Sequence, residues 1–525
     1  ARLLELDPDN LEGRLHQASA LAWAGRHGEA IAAVSEVRDR DPANREALLA
    51  LARFNSWAGR YDESLRYYDA LLADAPDDPE LRRARAAVLG WAGRHDEAAD
   101  ALRELAARDP SDVETRLALA RVLAWEGRYR QAETAFRAAL ELDPDNLEAR
   151  RGLARVAGWS GQLREGERRW RDVLTAYPDD VDALVGLAAN LRWQGRPRAA
   201  VGVLDRAEAL APDHADVETQ RLWLDAAVGP RLAPSFLYES DSDGNRAETV
   251  RLEGAWLVGG VGLQLTADAR WFDEETVVGR ESSTRSADLA LGLGLGRGWT
   301  LTGGGGVRTG DGDTQETLGL WRLGLASPAY LPVSGSLVAR RSAFDYTALL
   351  AQRNVAVEEL ALSLAVRPEG SRVTAGVRGG AARFEAAEDN RRWLLDAHVT
   401  YRPLPPLSVG VRARAFGFSE DVDEGYWDPS LYRVIEAPVA LSLDGSPLFA
   451  RLEVAPGYQA IEHAAVDVDN AALRAAARVG IRLAPGRQVG LSASLANSGL
   501  QRVSPVPDSD YEYRAISVFI DWSLR

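Results

Sequence analysis

Apolar residues recur along this chain with two different periods, and the change falls at Pro230. Up to Val228 they stand at helical spacing inside a repeat of 34 residues, marked by Pro8, Pro42, Pro76, Pro110, Pro144, Pro178 and Pro212. Trp23, Trp57, Trp91, Trp125, Trp159 and Trp193 keep the same phase, each followed two positions later by Gly25, Gly59, Gly93, Gly127, Gly161 or Gly195. After each proline comes a residue able to accept from the free N–H groups of a first helical turn: Asn10, Asn44, Asp78, Asp112, Asn146, Asp180. Two positions on stands an acid (Glu12, Glu46, Glu80, Glu114, Glu148, Asp182), which a helix N-terminus favours without any ligand. Ala18, Ala52, Ala86, Ala120, Ala154 and Ala188 are small enough for close helix approach, and the glycine then ends the helix. A second helix carries Ala30, Ser64, Ala98, Ala132, Gly166 and Ala200 at its packing position, and Pro197 opens the last of these, where its missing N–H is harmless. The pattern predicts two helices per repeat and a closing helix over Ala215–Val228.

Beyond Pro230 the period becomes two. Leu263, Leu265, Ala267, Ala269 and Trp271 alternate with Gln264, Thr266, Asp268 and Arg270. Trp393, Leu395, Ala397, Val399 and Tyr401 alternate with Asp396, His398, Thr400 and Arg402, and Leu473–Leu483 alternates against Arg474, Arg478 and Arg482. About sixteen such segments of roughly ten residues, separated by Gly/Asp/Pro turns, predict a closed antiparallel membrane barrel. The polar face decides against a soluble sandwich. It carries charges of both signs in mid-strand (Asp268, Arg270, Asp396, Arg402, Arg412, Arg414, Arg474, Arg478), which a watery lumen accommodates while lipid takes the Leu/Val/Ala face. Trp271, Trp393, Tyr401 and Trp522, near segment ends, suit an interfacial girdle. The fold class is therefore an α + β chain of two domains: a solenoid over 1–228 and an outer-membrane β-barrel over 229–525.

The 34-residue helix–turn–helix unit resembles the tetratricopeptide repeat (TPR). The tryptophan column departs from the usual TPR pattern. It is read as packing between successive repeats, with the arginine of Trp-x-Gly-Arg (Arg26, Arg60, Arg94, Arg128, Arg196) laid over a ring. The alternative is an aromatic ladder that stacks sugars along the solenoid. Ala1–Leu6 already carries the pattern that ends a second helix, and an open half-repeat caps a stack poorly, so further repeats are expected upstream.

Composition narrows the chemistry. The 525 residues contain no Cys and no Met, and lysine is absent too, so all 62 basic residues are arginine. Without cysteine there are no disulfides, thiol nucleophiles or cysteine-held metals. Both parts are acidic, with 32 Arg against 41 acids up to Pro230 and 30 against 37 beyond, which excludes a basic nucleic-acid binder. No apolar run reaches the length of a membrane helix. His398 shares a strand face with Asp396 but has no serine placed beside them, so it reads as a lumen histidine rather than part of an acyl-transfer triad. His463 is the other histidine of this half. Asp241-Ser-Asp243-Gly-Asn245 begins like a calcium loop, but its twelfth position is Leu252 rather than Glu, and it reads as a turn. Gly303–Gly306 lacks the Lys-Ser/Thr and the helix of a phosphate loop. No catalytic group, cofactor or metal site is expected.

A TPR solenoid followed by a barrel is the layout of exopolysaccharide export proteins of Gram-negative outer membranes. Gly425-Tyr426-Trp427-Asp-Pro429-Ser-Leu-Tyr432, leading into Ile435–Leu443, resembles the Gly-Tyr-aromatic-x-Pro-x-x-aromatic element in the barrel of the outer-membrane component of bacterial cellulose synthase. The pair Arg340-Arg341 followed by Leu349-Leu350 is similar to another piece of that barrel. The resemblance implies a periplasmic solenoid that contacts periplasmic or inner-membrane synthase proteins, and a pore in outer-membrane lipid through which a polysaccharide chain leaves. Porins for poly-N-acetylglucosamine share the layout, so the polymer does not transfer with it. The competing expectation is a non-conducting anchor whose solenoid holds protein partners.

Overall fold

The helices begin where their caps stand. Asn10, Asn44, Asp112, Asn146 and Asp180 each accept from the backbone N–H three residues on, and Asp78 from those of Glu80 and Leu81. The glycines of Trp-x-Gly end the first helix of each pair with φ between 73° and 83°, a conformation that disfavours any side chain. The structure is a computed structural model, and it describes residues 10–524 apart from 259–260, 276–278, 296–297, 312–316, 330, 369–370, 423, 446, 464–465 and 498–510. The expected half-repeat Ala1–Leu6 and the first proline of the column, Pro8, lie outside the described residues. Thirteen helices are described before the first strand, from Leu11–Trp23 to Ala215–Val228, the last matching the expected closing helix.

The chain divides into two compact units after Asn190. In the first, both small-residue columns are fully buried: Ala18, Ala52, Ala120, Ala154 and Ala188 on first helices, Ala30, Ser64, Ala98 and Ala132 on second ones. The cap carboxylates also staple neighbouring repeats, because Arg45, Arg83 and Arg151 reach Asp78, Asp112 and Asp180 at 3.0, 2.6 and 2.5 Å.

The second unit carries the sheet. Its strands are β1 (Arg231–Asp241), β2 (Asn245–Val258), β3 (Val261–Glu274), β4 (Arg280–Gly294), β5 (Thr300–Gly310) and β6 (Leu318–Ala326). There follow β7 (Val333–Ala343), β8 (Ala356–Val366), β9 (Val373–Glu385), β10 (Asn390–Leu404), β11 (Leu407–Phe418) and β12 (Leu431–Glu436). The last are β13 (Val439–Asp444), β14 (Leu448–His463), β15 (Val466–Ala484), β16 (Arg487–Ala496) and β17 (Tyr513–Ser523). β1 pairs antiparallel with both β2 and β17, from Arg231 opposite Ser523 to Asp241 opposite Tyr513, so the sheet closes.

β12 and β13 lie end to end between β11 and β14, each pairing with both. The break is Ala437-Pro438. Proline has no N–H for the ladder, but its carbonyl accepts from Gly410 at 2.9 Å and Ala437 donates to Pro456 at 2.8 Å. Seventeen strand segments therefore fill sixteen positions. Leu265, Leu323, Val399, Val411 and Leu491 face outward and are exposed, whereas Thr249, Arg308, Glu359, Glu436 and Gln459 are buried inside. Trp271, Trp321, Trp393 and Tyr458 stand outward toward the end where β1 finishes, called the distal mouth below, and Tyr401 toward the other. No described helix is long and apolar enough to cross a membrane; the apolar surface belongs to the strands, as in an outer-membrane barrel.

Candidate functional site

The lumen is lined by alternate residues of every strand, and most of its charges are paired across strands. Asp268 accepts from Ser286 at 2.9 Å and lies 3.8 Å from Arg251. Asp396 takes Arg414 at 2.6 Å, with His398 at 3.8 Å and Arg412 at 3.9 Å. Arg474 bridges Glu436 at 3.2 Å and Glu453 at 2.9 Å. Arg478 lies 3.8 Å over the ring of Phe519. Arg402 is exposed near the other mouth, where its backbone N–H joins the carbonyl of Arg372 at 2.9 Å. Of the residues singled out in the sequence, Asp396, Arg412 and Arg414 are thus brought together on β10 and β11, and Arg474 reaches the same wall through Glu436, which stands opposite Arg412 in the register. A further ion-pair node, Glu359 between Arg340 at 2.6 Å and Arg378 at 2.5 Å, brings in one arginine of the Arg340-Arg341 pair.

Sequence reasoning missed how the distal mouth is filled. Two connections, 344–355 between β7 and β8 and 419–430 between β11 and β12, fold inward. The first holds a short helix, Ala348–Arg353, capped by Thr347. Arg270 donates to the carbonyl of Asp345 at 3.0 Å, and Arg308 donates to the carbonyl of Ala351 at 2.9 Å and to Asn354 Oδ1 at 2.7 Å. Arg270 is therefore a tether, an attachment its place in the alternation does not reveal. Arg353 joins the two connections by meeting Glu424 at 3.1 Å.

The motif Gly425–Tyr432 lies in the second connection and the start of β12. Gly425 has φ 81°, and a Cβ there would stand 2.4 Å from Leu349 Cδ2. Tyr426, Trp427 and Tyr432 are buried, and the backbone N–H of Phe418 donates to the carbonyl of Pro429 at 2.9 Å. Tyr426 packs on Phe384 (ring centres 5.1 Å apart), Phe418 (5.7 Å) and Phe344 (5.9 Å), and Tyr432 donates to Gln459 at 3.0 Å. Burial beside Asp428 pushes the Tyr426 phenol well above its ordinary range, so it stays protonated. Beneath this seal lies a cavity of about 510 Å³ lined by Glu239, Arg340, Glu359, Asp396, Arg414 and Phe344 among others. The usable signal was a long stretch without alternation that is nonetheless rich in aromatics.

The tryptophan column differs from the packing expected of it. Trp57 to Trp193 keep 38–46% of their surface exposed and Trp23 keeps 83%. Packing is partial: a Cβ on Gly90 would lie 3.5 Å from the ring of Trp125 in the next repeat. The arginines expected over the rings turn to acids instead, Arg26 to Glu29, Arg94 to Glu97 and Arg128 to Asp96, each at 2.6 Å. A carboxylate within reach holds a guanidinium more strongly than a half-wet ring does. The cations that do approach rings are others, Arg155 at 6.0 Å from Trp159 and Arg192 at 5.9 Å from Trp193.

The family profile of the tetratricopeptide repeat matches residues 21–88, 92–141 and 126–169. No curated protein sequence matches the chain. Among solved structures, a bacterial polysaccharide outer membrane secretin is similar at 13% identity and a TM-score of 0.44, over 57% of this chain and 99% of that one. A tetratricopeptide repeat protein from Parabacteroides merdae is similar at 20% identity and 0.35, over 41% and 86%. PilW, a type IV pilus biogenesis factor, follows at 20% identity and 0.33, over 40% and 97%. The chain joins tetratricopeptide repeats in its N-terminal part to a closed sixteen-position β-barrel of the outer-membrane type.

Proposed function

We propose that the barrel is an outer-membrane exit for a secreted polysaccharide, and that the repeat domain stands in the periplasm and docks the proteins that make the polymer. The observation that carries this reading is the lumen. Its wall offers charged and hydroxyl groups already balanced by cross-strand partners, among them Asp396 with Arg414 and Arg474 with Glu436 and Glu453. A neutral polymer passing such a wall meets many weak hydrogen bonds and no deep well, which is what passage requires. The half-exposed tryptophans of the repeats are then a surface for protein partners or sugars rather than core. The inward-folded segments 344–355 and 419–430 are the parts that must move for a chain to leave.

Secretion by cells that carry a synthase is the test. Replacing Arg412 and Arg414 by Glu is expected to lower exported glycan while the barrel still shows its heat-modifiable shift on a gel. Unchanged secretion removes the lumen wall from the path.

A second reading is favoured by the sealed mouth itself: a non-conducting anchor that holds the repeat domain at the membrane. Planar-bilayer recording separates the two. A barrel that stays silent even after the Tyr426 seal is opened favours the anchor.

A further inference from the structure

Asp421, Asp428 and His463 bring three ligand atoms within 4.8 Å of one another at the distal mouth. They come from two separate pieces of chain, the connection 419–430 and the end of β14. His463 Nε2 is a buried atom with no hydrogen-bond partner, and it points between two carboxylates, 3.5 Å from Asp428 Oδ1 and 3.9 Å from Asp421 Oδ1. A buried ring nitrogen that faces two carboxylates and makes a hydrogen bond to neither needs a cause, because burying it without one is unfavourable.

We propose that these three side chains bind a divalent transition-metal ion of the zinc or manganese type, and that the ion clamps the inward-folded connection to the barrel wall. Ligands about 2.0–2.2 Å from a shared ion stand roughly 3–3.5 Å apart in tetrahedral or octahedral sites, so the 3.5 Å edge already approaches that spacing and the 3.9 Å edge closes to it by a movement of the exposed Asp421 side chain. One imidazole with two carboxylates is a donor set for these ions; calcium takes oxygen ligands. Asp428 is held in place for the task. Its other oxygen accepts from the Val422 N–H at 2.8 Å and faces Asn390 Nδ2 at 3.4 Å, leaving Oδ1 aimed at the histidine. Asp428 is buried while Asp421 is exposed, so an ion has an entry side and water completes its shell. The competing arrangement is a protonated His463 lying between two carboxylates, which needs no ion. Binding at this site does not depend on the export reading; only its effect on the mouth does.

The experiment uses the full chain in detergent, purified without a histidine tag and stripped with chelator. Titration with ZnCl2 or MnCl2 against a chromophoric chelator is expected to give one high-affinity site. His463→Gln is expected to remove that site, leaving the weaker binding of the other histidines, and Asp421→Asn, at an exposed position that spares the fold, to weaken it at least tenfold. Manganese EPR on the wild type is expected to show a nitrogen ligand that His463→Gln abolishes. Equal stoichiometry and affinity in wild type and His463→Gln, with the heat-modifiable shift intact in both, overturn the proposal. So does the absence of any site in the folded wild type. If the site binds and chelator leaves bilayer conductance unchanged, the metal site stands and the moving-mouth part of the export reading falls.

Discussion

The ring of Phe136 occupies the place where a side chain on Gly152 would begin: a Cβ built there lies 2.4 Å from two ring carbons. One repeat later Trp170 does the same to Gly186, again at 2.4 Å. An aromatic on a second helix is thus seated against the bare backbone of the following first helix. Gly152→Ala is expected to lower repeat-domain stability by about 1–3 kcal/mol, because the ring must leave its rotamer or the helices must part. Urea unfolding followed by the helical circular-dichroism signal measures it, and the double variant Gly152→Ala, Phe136→Leu should recover part of the loss. A silent Gly152→Ala contradicts this packing.

Acid should loosen the repeats through Glu165. Its carboxylate accepts from Arg168 at 2.6 and 2.9 Å and from Arg169 at 2.6 Å. The Arg168 hydrogen bond, opposed by partial burial and aided by Arg169, holds the carboxyl at about 2, from an ordinary 4.5. A carboxyl with a lowered folded-state value stabilises fully above its unfolded value, and that contribution fades as the pH falls toward the folded one. Between about pH 5 and about pH 3 the wild-type melting temperature should therefore fall more than that of Glu165→Gln. Equal slopes would remove Glu165 from the acid response.

Glu359 pairs with two lumen arginines at once. Glu359→Gln leaves Arg340 and Arg378 facing the lumen uncompensated, so a conducting barrel should become more selective for anions. The reversal potential across a salt gradient reports it, once the mouth is open. An unchanged potential means that ions do not pass this section of wall.

Opening the mouth should require removing the aromatic seal rather than a strand. Tyr426→Ala takes away the ring that touches Phe344, Phe384 and Phe418. Truncating a buried aromatic costs about 3–5 kcal/mol, enough to free a connection while leaving the ladder whole. Conductance in bilayers should rise, with the heat-modifiable shift retained. A rise accompanied by loss of that shift would instead report a damaged barrel.

Regular patterning made most of the fold legible. The capping residues and alanine columns recur at one phase, and β3, β10 and β15 alternate over most of their length, so helix pairs and outward faces follow from spacing alone. Local rules failed where long-range partners compete. Arg26, Arg94 and Arg128 left the tryptophans for acids, one of them on a neighbouring repeat. Arg270 reads as a lumen charge but gives its Nη1 donor to Asp345, seventy-five positions away. The mouth was least legible, since Gly425–Tyr432 has no period and its burial depends on Leu349, Phe384 and Gln459, three elements that the chain brings there only after closing.

The pairing of β1 with β17 has a temporal consequence. Arg231 meets Asp521 across 290 residues of chain, and Tyr513 with Glu239 and Glu512 with Ser242 join the same seam across 274 and 270. Contacts this distant form late, because the entropy of joining the ends must be met first. Until β17 arrives, β1 keeps a bare edge directly after the last helix, so the repeats are able to fold during synthesis while the wall waits for its final stave. Until then that row of unpaired N–H and C=O groups is open to pairing with another chain, an exposure that only the last strand ends.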